Sequence, residues 1–216
     1  MSLTISEAGK LLWDPRDRSG TRPNDMYLWS SYAEGFLLSG VALLERTRHD
    51  LEHPPAIKEE ILEQPFIHPA CLVVPALYQI RHGLELLLKM LALCGAADAG
   101  QDGEIRRTHD LACLHSKAVP ILRAAHADDY ANELKALVDW FHDYDPKGDE
   151  FRYPATGGKA WSLSRILHGI DTDDPFAVLD LTKLGDLTKK VAILIFTTDV
   201  VNEALSVRAE MEREAE

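Results

Sequence analysis

The chain has 216 residues, 46% of them hydrophobic and 27% charged, so it can bury a sizeable core and is too apolar to remain disordered. Lys plus Arg number 23 against 35 Asp plus Glu, and the net charge of −12 argues against a broad phosphate-tracking surface while leaving room for a local basic pocket. The start MSLTISEAGK lacks the basic-then-apolar pattern of a signal peptide, and charges interrupt every long apolar stretch, so the expectation is a cytoplasmic protein without a membrane span.

Residues 1–24 are mixed and turn-rich (Asp14-Pro15, Ser19-Gly20, Arg22-Pro23) and read as an irregular arm. Asn24-Asp25 can cap a helix from about Met26 to Asp50, with Leu28, Tyr32, Phe36, Leu37, Val41 and Leu44 at helical spacing. Small residues along it (Ala33, Gly35, Ser39, Gly40) predict a close approach to another helix. His53-Pro54-Pro55 stops it. A short helix is expected over Ala56–Glu63, then a very apolar one from about Pro69 to Cys94, bent or truly started at Pro75. The Ala/Gly/Asp-rich stretch from Gly95 to Gly103 reads as a loop.

Thr108 or its neighbours start a third main helix reaching about Ala125, with Pro120 as an expected interruption. Asp128 or Asp129 caps a fourth, ending near His142, with the stripe Tyr130, Leu134, Leu137, Val138 and Phe141. Residues 143–162 hold Pro146, Gly148, Pro154, Gly157 and Gly158 and read as a long loop packed by Phe151, Tyr153 and Trp161. A last helix runs from about Leu181 to Glu210. The expected architecture is a single all-α domain over residues 1–216, an up-and-down bundle of about five main helices with a long aromatic-containing loop before the last one. Cys71, Cys94 and Cys113 show no C-x-x-C spacing and fit free thiols in a reducing compartment.

The most informative segment is the second long helix. Arg81, Glu85 and Lys89 sit four residues apart, so they form one charged line on an otherwise greasy helix. Buried charges require partners, and Arg152 in Phe151-Arg152-Tyr153-Pro154 is the candidate to reach Glu85. Two readings follow. The seam of Arg81, Glu85, Lys89, His109 and Arg152 is either an ion-pair clamp that pins the long loop, or a pocket for an anionic ligand or RNA. His109 is either a helix-start residue bonded to backbone or to Glu85, or a proton-transfer group.

Three blocks in order carry a family resemblance: Arg81-His82-x-Leu84-Glu85-Leu86-x-Leu88-Lys89, His109-Asp110-Leu111-x-x-Leu114, and Asp145-Pro146-x-Gly148-x-x-Phe151-Arg152-Tyr153-Pro154. With Val178-Leu179-Asp180-Leu181-x-x-Leu184, the chain resembles HEPN-type domains (higher eukaryotes and prokaryotes nucleotide-binding) over roughly residues 70–205. The resemblance implies an up-and-down helical bundle that often dimerises. It also implies a role in RNA cleavage, in toxin–antitoxin or antiviral systems, or as partner of a nucleotidyltransferase. Catalytic members carry Arg, four to six residues, then His near the start of a late helix, and here Arg165 and His168 are only three apart. Arg48 and His53 satisfy the spacing but lie at the end of the first long helix. The resemblance therefore implies a binding or regulatory module, RNA- or nucleotide-associated, without intact ribonuclease chemistry.

A rival comes from another class. His115, then His142-Asp143 after an apolar run, resembles the metal-dependent HD phosphohydrolases, with Asp171, Asp173 or Asp180 as the last ligand. Two His and two carboxylates suit a divalent ion that activates water for phosphoester attack. The phosphate loop G-x-x-x-x-G-K-[ST], the elbow G-x-S-x-G, H-E-x-x-H and G-x-G-x-x-G are all absent, so no cofactor is expected.

Overall fold

The computed structural model describes residues 23–53, 72–95, 99–125, 127–145, 148, 181–196 and the helical positions 202, 204, 206, 207, 209, 210 and 213. These form six helices, α1 (Pro23–Glu52), α2 (Val73–Cys94), α3 (Ala99–Arg107), α4 (Leu111–Ala124), α5 (Asp128–Tyr144) and α6 (Leu181–Phe196). Among the described residues there is no strand, and no helix is long and apolar enough to cross a membrane. The expected N-terminal arm up to residue 22, the short helix over 56–63 and most of the long loop lie outside the described residues, and residues 23 and 24 of that arm are helical.

α2 is the centre of the packing, flanked by α1, α3 and α4. α1 also packs on α6, α6 on α5, and α5 on α4, so α2, α1, α6, α5 and α4 close into a ring. The reason is legible in α2 itself, which is apolar nearly all round. Leu77, Ile80, Leu84, Leu87, Leu88 and Leu91 are fully buried, and a helix with no hydrophilic face must be covered on every side. Pro75 sits in its first turn, where a missing N–H costs nothing, so it marks a start and not a bend.

Two helices touch backbone to backbone. A Cβ added at Gly40 of α1 would collide with Ile80 Cγ1 and lie 2.9 Å from the Ala76 carbonyl oxygen. One added at Gly83 of α2 would lie 2.7 Å from the Ala33 carbonyl oxygen. Ala33 and Gly40 thus serve the approach of α2, whereas Gly35 and Ser39, grouped with them by composition, face outward. Tyr32, expected on the inner stripe, is 48% exposed, because the buried line runs instead through Ala33, Leu37, Gly40, Val41 and Leu44.

Four local expectations change. Ala127, and not Asp128 or Asp129, holds the N-cap position of the helix Asp128–Tyr144. α1 begins at Pro23, so Asn24 and Asp25 fall within the helix instead of capping it. The stretch expected as a loop to Gly103 contains α3, which Ile105 anchors by burial at 2% exposure. Pro120 does not interrupt α4; it lies on the exposed side, where losing one backbone bond is tolerated. The fourth expected helix is α5, and its whole apolar stripe is buried. Tyr130 of that stripe donates its hydroxyl to the Val191 carbonyl at 3.3 Å, tying α5 to α6, and burial pushes the phenol well above its usual range.

Candidate functional site

Arg81, Glu85 and Lys89 occupy successive turns of α2 and are 2%, 2% and 5% exposed. Such burial of three ionisable groups requires near-complete pairing. Glu85 Oε2 accepts from Arg81 Nη1 at 3.0 Å, and Oε1 accepts from Lys89 Nζ at 2.9 Å. His109 adds a third donor, its Nδ1 lying 2.9 Å from Oε1.

Arg81 spends the rest of its guanidinium on distant chain segments. Nη2 donates to the His109 carbonyl at 2.8 Å, Nε donates to the Asp145 carbonyl at 3.3 Å, and Nε lies 2.9 Å from the Asp145 carboxylate. Lys89 Nζ also donates to the Arg106 carbonyl at 3.1 Å. α2 is thereby joined to the end of α3, to the α3–α4 link and to the turn after α5. Gly148 completes the turn: its N–H donates to the Asp145 carbonyl at 3.3 Å and its φ is +78°. A Cβ there would lie 2.7 Å from Arg81 Cζ. Two requirements, a left-handed backbone and contact with the guanidinium face, call for glycine. Gly148→Ala should cost about 1–2 kcal/mol for the backbone conformation alone, plus the displacement of Arg81, and a thermal melt checks it.

The local sequence places His109. Asp110 caps α4, its carboxylate accepting from the Cys113 N–H at 3.0 Å, and Thr108 Oγ1 accepts from the Asp110 N–H at 3.2 Å. His109 therefore precedes the helix and does not begin it. Its side chain is 46% exposed against 3% for Glu85, so the seam reaches water at the imidazole.

Burial raises the Glu85 carboxyl pKa, but the hydrogen bond and charge of Lys89, with His109 and Arg81, outweigh it and hold it below the ordinary 4.5. A carboxylate with a depressed folded-state pKa contributes stability that is complete above the unfolded value and lost as pH falls through the folded one. Stability should therefore decline in acid, beginning near about pH 4, and Glu85→Gln should flatten that limb in urea melts across pH. A parallel acid limb in both proteins would refute the assignment.

Arg48, His53 and His115 have their polar contacts elsewhere. Arg152, expected beside Glu85, lies outside the described residues; the described donors to Glu85 are Arg81, Lys89 and His109. Arg48 and Glu52 approach to 3.9 Å, and His53 Nδ1 lies 3.3 Å from the His49 carbonyl, all on the exposed end of α1. His115 donates to the Ala131 carbonyl at 3.3 Å, and burial lowers its pKa. His142 is exposed on the last turn of α5, and the Asp143 side chain is outside the described residues, as are residues 171, 173 and 180. Among the described residues no group of three or more His, Cys, Asp and Glu is arranged to hold a metal ion. Cys94 is buried and Cys113 is a half-buried free thiol; Cys71 is outside the described residues.

No family model, curated protein or solved structure matches this chain. Function is therefore argued from the seam itself. Sequence reasoning missed Asp145 as the partner of Arg81, Gly148 as its platform, and the carbonyls of Arg106 and His109. The signal available for the first two was Asp145-Pro146-x-Gly148, a turn whose acid and glycine are three residues apart.

Proposed function

We propose that this chain is an up-and-down HEPN-like helical bundle acting as a binding or regulatory module, RNA- or nucleotide-associated and without ribonuclease chemistry. One observation carries the non-hydrolytic part: Arg81 and Lys89, the cations the seam would offer to a phosphate, are buried and engaged by Glu85, Asp145 and three backbone carbonyls. A metal-independent ribonuclease needs a cation open to the scissile phosphate beside a histidine that moves a proton. The candidate pair with the right spacing, Arg48 and His53, is engaged with Glu52 and His49 at the exposed end of α1.

Incubation with mixed RNA should leave the RNA intact, while equilibrium binding of RNA or nucleotide should be measurable. Robust wild-type cleavage lost in Arg81→Ala or His109→Ala would overturn the non-hydrolytic reading. A homodimer belongs to the same proposal, as does a nucleotidyltransferase or antitoxin-type partner. The dimer now rests on the family likeness, since Ala33 and Gly40 are spent on α2. Light scattering on the purified chain tests it.

The self-satisfied seam also favours a second reading, a clamp with no ligand. Under it Glu85→Ala and Asp145→Ala each lower the melting temperature, and the double mutant loses less than their sum because both act through Arg81. Micromolar binding of a nucleotide, abolished by His109→Ala, would count against the clamp. The metal-dependent phosphohydrolase alternative is decided by elemental analysis of purified protein: stoichiometric Mn, Fe, Ni or Zn would support it.

A further inference from the structure

We infer that His109 is a reactive histidine that accepts a phosphoryl group at Nε2 from a small phosphoryl donor, an acyl phosphate or phosphoramidate. The inference stands on the seam alone and goes beyond the proposed function. Glu85 Oε1 accepts from Nδ1 at 2.9 Å, which fixes the tautomer: Nδ1 carries the proton and Nε2 keeps its lone pair. A carboxylate on one ring nitrogen holds the ring in one orientation and opposes positive charge that develops on it. The carboxylate is buried while the imidazole is half-exposed, so a ring held by Glu85 meets solvent.

The other described histidines are placed differently. His49 and His53 stack on each other at 4.9 Å, and the ring of His82 is packed between Phe36 and Tyr78 at 4.6 and 5.8 Å. His115 gives its Nε2 to the Ala131 carbonyl, and His142 lies exposed on the last turn of α5. The surroundings of His109 suit an anion in part. Arg107 is exposed two residues before it, and α4 begins two residues after it with its positive end. Asp110 opposes the incoming charge, but its carboxylate is committed to the Cys113 N–H.

The step balances without a redox partner. The Nε2 lone pair attacks phosphorus of phosphoramidate, the new P–N bond forms as the bond to the amine breaks, and ammonia leaves with its own protons. The ring, still protonated at Nδ1, becomes a phosphoimidazolium. Glu85 opposes that positive charge, which lowers the barrier and stabilises the product.

The test is loading of the full chain with phosphoramidate, followed by phosphorus NMR and peptide mapping without acid. His109 should load faster than the exposed His142 in the same sample by about 10–100-fold, the scale on which a hydrogen bond to a developing charge changes a barrier. Glu85→Gln should slow His109 towards the rate of His142, and His109→Gln should remove the fast phase. The comparison within wild-type protein needs no variant to fold. Equal loading at residues 49, 53, 109 and 142, or a fast phase that survives His109→Gln, overturns the inference. RNA binding can fail while fast loading persists, and the reverse, so the two proposals are separable.

Discussion

Glu85→Ala is expected to destabilise the protein by about 3–5 kcal/mol, because it strands buried positive charge instead of merely removing a contact. Arg81 Nη1, Lys89 Nζ and His109 Nδ1 all donate to the deleted carboxylate. Arg81 retains Asp145 and Lys89 retains one carbonyl, so the guanidinium is partly compensated and the ammonium is the larger source of the loss. Ordinary domains have about 5–15 kcal/mol of total stability, so the variant should unfold at much lower urea, with the midpoint as readout. A loss below about 1 kcal/mol, the level of a solvated surface pair, would mean that water reaches the seam. An all-apolar replacement is a separate matter. Converting 81, 85 and 89 together to similar-sized apolar residues removes the stranded charges, and it also takes the Arg81 guanidinium away from the buried Asp145 carboxylate.

Gly83→Leu is expected to cost about 3 kcal/mol or more, and Gly83→Ala about 1–3 kcal/mol, since added volume at a full helix contact forces backbone movement. The obstruction is main chain. A Cβ at 83 would lie 2.7 Å from the Ala33 carbonyl oxygen and 2.9 Å from the Leu37 nitrogen, neither of which can rotate aside. α1 would have to withdraw from α2 along the contact that also holds Gly40 against Ile80. Gly35 is the control, for a Cβ there meets nothing within 4 Å. Gly35→Ala on that exposed helix face should stabilise by about 0.5–1 kcal/mol through backbone entropy. Calorimetry on the three variants gives the contrast, and equal melting temperatures for the Gly35 and Gly83 variants would contradict the close approach.

Both predictions concern α2, whose charged line, among the described residues, meets water at the imidazole of His109. Glycine contact on one side and apolar packing around most of the helix exclude water from the stripe. The α3–α4 link and the turn after α5 cover the charged side by contributing carbonyls and Asp145. What remains at the surface is an imidazole backed by a buried carboxylate.

Much of this was determined by local pattern. A spacing of four places residues 81, 85 and 89 on one line of any α-helix, and the greasiness around them already implies burial. The α5 stripe and the start of α2 near Pro75 follow from period and proline geometry in the same way. Only the tertiary structure decided which groups answer those charges. Asp145 lies 64 residues from Arg81, and the carbonyls of Arg106 and His109 exist at every residue and leave no side-chain signature. α3 escaped for a related reason: its composition is poor for a helix, and burial of Ile105 with capture of the Arg106 carbonyl by Lys89 supplies what propensity lacks. Local pattern encodes which residues must be covered, and packing alone selects what covers them.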